Sequence, residues 1–301
     1  MLAAACVLYP WCYIAWHLPI VLVGLVALAR RLSGRRLGWT PLAICAAALA
    51  AGVAVHPNAE NLLRFWWLVH VEILGRTAWG ARAGFELGAE FQPYRLPDLV
   101  RFALVPALLT GVAAVFGWRR RREDEGALAF ALVAAAFALL TLASSRFIEY
   151  FAPFAAAAAA LALRDRGPRA AAILGAAFAF TALFGARPVL ALATRGDEIP
   201  PPFIEFVRQR IPPGAQVFTC EWGLTGELMI ALPDRRFIVA LDPVLFHAKD
   251  PELYAAWYAL PREGPPDAAH VIRSRFGARY VLCAALPTSA PLLRRLADDP
   301  T

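Results

Sequence analysis

Four apolar stretches crowd the middle of the chain, at 99 to 117, 126 to 144, 147 to 163 and 170 to 186, with two more before them at 12 to 29 and 40 to 55. Several come near the lower limit of about 17 residues that a helix needs to cross a bilayer. Hydrophobic residues make up 59% of the chain, above the roughly 45–50% of an average soluble domain. The excess is gathered in these runs, which predicts lipid as the solvent and six spanning helices.

Charge supplies the orientation. Three short connectors are basic: Arg30, Arg31, Arg35 and Arg36; Arg119 to Arg122, followed by Glu123, Asp124 and Glu125; and Arg164, Arg166 and Arg169. They fall in every second loop. Arginine near span ends is retained on the cytoplasmic side, so the loops at 56 to 98 and 144 to 147, and everything after 187, are expected to face outward. Residues 1 to 199 hold 19 Arg against 12 acids, whereas residues 200 to 301 hold 11 basic and 11 acidic residues. The net charge of +7 therefore belongs to the membrane part, which argues for topology and against nucleic-acid binding.

Within the outward loop, Leu62, Phe65, Trp66, Val69 and Ile73 form one helical stripe, with Glu60, Arg64 and Glu72 elsewhere. That pattern predicts a helix from Asn61 to Leu74 lying in the interface plane, with His70 and Glu72 on its solvated face. Trp66, Trp67 and Trp79 suit the headgroup level, and Gly80 to Pro97 reads as an ordered loop. The first 29 residues form an apolar run interrupted by Pro10 and Pro19 and preceded by no charged leader, unlike a signal peptide. Met1 reads as an internal start in a fragment.

Beyond Pro200 to Pro202 the composition becomes that of a soluble domain. Helices are predicted at Phe203 to Ile211, Leu224 to Ala231, Pro251 to Ala259, Asp267 to Phe276 and Ala290 to Ala297, and strands at Gln216 to Thr219, Phe237 to Ala240 and Tyr280 to Cys283. Strands separated by helices imply a parallel, doubly wound sheet, and no closing strand precedes Thr301, so this domain is expected to be incomplete. The predicted fold is thus an α-helical multispanning bundle over 1–199 followed by a small extracytoplasmic α/β domain over 200–301. No glycine-rich phosphate loop follows a strand. Cys6, Cys12 and Cys45 lie in membrane runs. Cys220 and Cys283 sit at strand ends, where an oxidising compartment permits a disulfide and two buried thiols are the alternative.

Arg146 stands in Ser144-Ser145-Arg146-Phe147-Ile148-Glu149-Tyr150, on the outward side, where topology alone gives no reason for Arg. A guanidinium there suits a lipid phosphate; the alternatives are a snorkelling Arg or a pair with Glu149. His56 ends a span and is followed by Asn58, Glu60 and Asn61, with Arg64 one turn on. It is a candidate for phosphate binding or proton transfer, or else a local cap. Asp242 follows a strand, where open α/β sheets bind ligands, or caps the helix that begins with Val244 to His247. Spacing assigns no Ser/His/Asp arrangement, metal-ligand set or paired catalytic carboxylates, and no cofactor is predicted.

The order of three features, HPNAENLLRFWW at 56 to 67, SSRFIEYFAPF at 144 to 154, and a tail with ALDPVLFHAKDPELY and VIRSRFGARYVL, resembles the later half of bacterial polytopic glycosyltransferases of the GT-C superfamily, including mannosyltransferase-like and arabinose-transferase-like enzymes. The resemblance implies a bacterial inner-membrane protein that passes a sugar from a polyprenyl-phosphate donor to an acceptor at the outer face. It also implies a catalytic acid in a first outward loop. No acid precedes Glu60 here, so the catalytic residue is expected upstream and this polypeptide alone is expected to be inactive. Under this reading Arg146, His56, Asn58, Glu60, Arg64, Glu149 and Tyr150 are the candidates for binding lipid phosphate or substrate. The competing readings are a transport or envelope-assembly subunit whose tail binds a partner, and a ligase or polymerase of surface polysaccharide.

Overall fold

The computed structural model describes residues 1–73, 75, 86, 88, 91–193, 199–239 and 242–299, without side chains at 170, 171, 173, 181, 182, 184–189, 192 and 193. It divides into two compact units, Met1–Ala81 with Ala89–Leu192, and Arg82–Gly88 with Ala193–Thr301. The predictions for Trp79 and for half of Gly80 to Pro97 lie outside the described residues.

The first unit is helical. The run expected as one span at 12 to 29 is instead split into α1 (Leu2–Cys12) and α2 (Leu18–Leu32). Tyr13 is extended at the break, and Pro19, fixed at a helical φ, opens α2 in its first turn. Pro10 lies in the last turn of α1, where it has no N–H to give the Cys6 carbonyl, and the helix ends two residues later. Next come α3 (Trp39–Ala54) and α4 (Ala59–Trp67), the latter continued by a π-helical turn Leu68–Ile73. The axis bends by 117° between α3 and this second segment, and Leu62, Leu68 and Ile73 are buried while Trp67 is exposed. The amphipathic helix is therefore present, with its apolar stripe turned inward.

Four helices complete the unit: α5 (Leu96–Arg119), α6 (Glu125–Ala143), α7 (Ile148–Leu163) and α8 (Pro168–Ala193). The Asp124 carboxylate caps α6 by accepting from Gly126 N and Ala127 N, satisfying amide groups that have no intrahelical partner. Helices α5, α6 and α7 meet along Ala113, Ala127, Ala131, Ala158 and Ala162, small residues that let backbones approach closely. Gly117 belongs to the same seam, where a Cβ would come within 3.2 Å of the Leu128 backbone. Between α1 and α3 the approach is closer still, since a Cβ on Gly52 would lie 2.3 Å from the Val7 carbonyl oxygen.

Six spans were expected, and among the described residues length and composition support three: Leu96–Arg119, Glu125–Ala143 and Ser145–Leu163, with a fourth if the bent pair counts as one. The expected span at 170 to 186 falls in α8, many of whose side chains lie outside the described residues; for the runs at 12 to 29 and 40 to 55 the reason is length. With 15 and 16 residues, α2 and α3 cover about 22–24 Å at 1.5 Å per residue, short of the roughly 30 Å hydrocarbon core.

The three basic connectors share one end of the unit. Glu125 lies 3.7 Å from Arg30 and 3.2 Å from Arg35, Asp165 lies 2.7 Å from Arg120, and Asp124 lies 3.5 Å from Arg164. The Ser144–Phe147 turn follows the C-terminus of α6 and therefore lies at the opposite end of that helix.

The second unit contains α9 (Pro201–Arg210), β1 (Gln216–Thr219), α10 (Thr225–Ala231), β2 (Arg236–Phe237), α11 (Pro243–Lys249), α12 (Pro251–Glu263), α13 (Ala268–Phe276), β3 (Tyr280–Leu282) and α14 (Ala290–Ala297). The sheet is parallel, in the order β2-β1-β3, with Val217 opposite Phe237 on one side and Tyr280 on the other. Trp257 and Phe218 are fully buried in its main core, and the Trp257 indole donates to the Thr219 carbonyl at 2.8 Å. The buried Arg235 guanidinium donates to the Arg208 and Ile211 carbonyls at the end of α9, a C-terminal cap delivered from a distant turn. Cys220 and Cys283 are joined in a disulfide with their Cα atoms 5.0 Å apart, which settles the open alternative in favour of pairing.

Candidate functional site

Arg146 is exposed and sits in the 3₁₀ turn Ser145–Phe147 between α6 and α7. Two contacts hold this turn against the segment before α5. Ser145 N donates to the Gln92 carbonyl at 2.8 Å, and the Arg146 guanidinium carbon lies 5.2 Å from the centroid of the Phe91 ring. An aromatic face restrains a guanidinium by cation–π attraction.

Of its neighbours, Glu149 is exposed. Tyr150 turns inward, its ring stacked on Phe137 at 5.0 Å and its hydroxyl hydrogen-bonded to that of Tyr13. The start of the chain is thereby fastened to the turn that carries Arg146.

His56 lies just beyond α3 with its ring edge-on to Trp11 at 5.6 Å. Its Nδ1 accepts from the Asn58 backbone N–H at 3.1 Å, and its own backbone carbonyl accepts from Ala59 N. The local-cap reading of His56 is thus realised at Nδ1. Asn61 Nδ2 donates to Asn58 Oδ1 at 2.6 Å, holding the first turn of α4. Glu60 and Arg64 are exposed on that helix. The described contacts place Arg146 beside Phe91, Tyr150 beside Tyr13 and Phe137, and His56 beside Trp11 and the start of α4.

A second cluster at this end was missed from sequence. The Trp66 indole donates to His17 Nδ1 at 2.8 Å, and His70 Nδ1 lies 3.2 Å from the Trp66 carbonyl. The two imidazole centroids are 4.7 Å apart, and Trp16 packs beside Trp66 at 5.1 Å. Because an indole only donates, the neutral His17 ring carries its proton on Nε2. His70 donates from Nδ1 to the carbonyl, so its Nε2 accepts. A donor and an acceptor thus stand side by side, and His70, expected on a solvated face, is half-buried among rings. The only hint in the sequence was the density of Trp and His at 16–17 and 66–70, for nothing in the spacing joins residues 49 and 53 positions apart.

In the second unit, Asp242 takes the capping role, accepting from Val244 N at 2.9 Å. The acid nearest the carboxyl ends of the strands is instead Glu221, whose Oε2 accepts from Ala284 N at 3.4 Å. Among the described residues, no group of three or more His, Cys, Asp and Glu side chains is placed to hold a metal ion. Comparison with family models, curated proteins and solved structures returns no match.

Proposed function

We propose that the chain is part of a membrane glycosyltransferase that takes a sugar from a polyprenyl-phosphate carrier, with Arg146 gripping the carrier phosphate at the outer face of the bilayer. The observation that supports this reading is the placement of Arg146: an exposed guanidinium against Phe91, in a turn pinned by Ser145 to Gln92, at the end of α6 opposite the arginine connectors. A planar fork held at a helix junction suits two parallel hydrogen bonds to phosphate oxygens, and a fixed cation stabilises the charge that develops on a departing phosphate.

The test is phosphate binding, which needs no catalytic acid. Purified chain in nanodiscs is titrated with a fluorescent short-chain polyprenyl phosphate. Removing a bidentate charged contact in Arg146→Ala is expected to weaken binding by about tenfold or more. Arg146→Lys keeps the charge without the fork and falls between the two. Equal affinity for wild type and Arg146→Ala would remove Arg146 from the donor site.

A further inference from the structure

The order β2-β1-β3 has a consequence at the carboxyl edge of the sheet. The chain leaves β1 for β2 on one side and later returns to β3 on the other, so β1 and β3 flank a switch in winding direction. Open α/β sheets bind ligands in the crevice outside such a point. A cavity of about 230 Å³ lies there, lined by Thr219, Glu221, Leu224, Leu228, Leu282 and Phe203 among others.

Its construction is specific. Cys220 and Cys283 are the residues immediately after β1 and β3, and their disulfide ties the two strand ends together at the cavity. Glu221 follows Cys220 directly, and its Oε2 takes the Ala284 N–H at 3.4 Å. The other oxygen, Oε1, is buried without a hydrogen-bond partner among the described residues. Burial, opposed by the Ala284 N–H and reinforced by the nearby Glu86 charge, holds this carboxyl above its ordinary range. An unpaired buried acceptor carries a desolvation cost that a bound donor would offset.

We infer that this cavity is a binding site for a compact organic cation, a primary ammonium on a small apolar body, with Glu221 Oε1 as the anchor for the ammonium. Among the described residues, Glu221 is the only charged one in the lining, which sets the sign of the ligand. The remaining walls are largely aliphatic and aromatic, which demands an apolar frame. The volume falls below the roughly 300–1,000 Å³ of sites for drug-sized ligands, so the body is small. This site is independent of the donor-phosphate reading, since it lies wholly within the second unit and needs no lipid.

The test uses the whole chain in nanodiscs, with empty nanodiscs as the baseline, and follows fluorobenzylamine, fluorobenzyl alcohol and fluorobenzoate by fluorine NMR. The amine is expected to bind saturably and at least about tenfold more tightly than the alcohol, with no binding by the benzoate. Glu221→Gln keeps the shape and the acceptor for Ala284, and should reduce the amine to the affinity of the alcohol. Leu224→Phe fills the cavity from its apolar wall and should abolish binding of both, which decides the matter even if the Gln variant folds poorly. The site is overturned if the amine fails to saturate, if amine and alcohol bind alike, or if either folded variant binds the amine as the wild type does.

Discussion

Arg262 reaches across 176 positions of sequence to pair with Glu86 at 2.8 Å. The same guanidinium lies 3.7 Å from the centroid of the Tyr258 ring and donates to the Tyr258 carbonyl, while Glu86 N donates to the Tyr254 hydroxyl at 2.9 Å. Burial pushes the Tyr254 phenol up to about 12, so it remains a protonated, neutral partner across the physiological range. A residue from the segment between α4 and α5 is in this way made part of the second unit.

Arg262→Ala loses the ion pair, the ring contact and a backbone cap together, whereas Glu86→Gln retains a hydrogen bond. The expected costs are roughly 1–2 kcal/mol and under about 1 kcal/mol. Thermal melts of the two variants should therefore separate in that order. A larger loss from Glu86→Gln would mean that the charge itself dominates.

Glycine-to-alanine substitutions in the helical unit should rank by the space each Cβ meets. Gly52→Ala drives a methyl into the Val7 carbonyl and is expected to cost about 1–3 kcal/mol through overpacking. Gly117→Ala, with contacts of 3.2–3.3 Å, should cost less. At Gly24 and Gly111 nothing lies within 4 Å, so the gain in helix propensity should leave stability unchanged or raised. Unfolding in mixed micelles measures the series, and an inverted order would contradict the close approach of α1 and α3.

Glu221 sets the sign of a pH effect. Its carboxyl is held above the ordinary value in the folded chain, so the native state binds the proton more tightly than the unfolded state does. The contribution of this group is fully present below the unfolded carboxylate range and is lost as pH rises through the raised folded value. Glu221→Gln should remove that loss and be relatively more stable at neutral pH than at acid pH. Melting temperatures of both proteins across this window give the comparison, and parallel curves would contradict the assignment.

Sidedness is tested with single cysteines in a background lacking Cys6, Cys12 and Cys45. A membrane-impermeant maleimide applied to intact cells is expected to label Ser145→Cys and to spare Gly34→Cys and Gly167→Cys. Labelling of all three positions would separate the arginine connectors from the inner face.

Local pattern carried much of the fold. Gln216–Thr219 and Ala290–Ala297 occur as read from the sequence because turn residues bracket a short apolar strand and an amphipathic helix. The strand expected from Phe237 to Ala240 pairs only at Arg236–Phe237; Ala240 lies outside the described residues. Apolar length was less reliable near the membrane limit, since the run over 12–29 has a break at Tyr13 that hydropathy does not register. The site was partly legible. Arg146 stood out as an arginine on the wrong side of the charge pattern. His17, Trp66 and His70 did not, because their proximity depends on how α2, α4 and the π-helical turn pack. Glu221 was passed over for Asp242, since both follow strands and only the placement of the Ala284 amide and the disulfide distinguishes the two.

The ion pairs among the connectors divide the arginines at that end between two tasks. Arg30, Arg35, Arg120 and Arg164 face carboxylates, while Arg31, Arg36, Arg119 and Arg122 have no carboxylate partner among the described residues; in the proposed orientation these four would meet anionic headgroups, each worth about 1 kcal/mol near a charged leaflet. A membrane stripped of anionic lipid would thus weaken the anchoring of this end while leaving its loops clasped to one another.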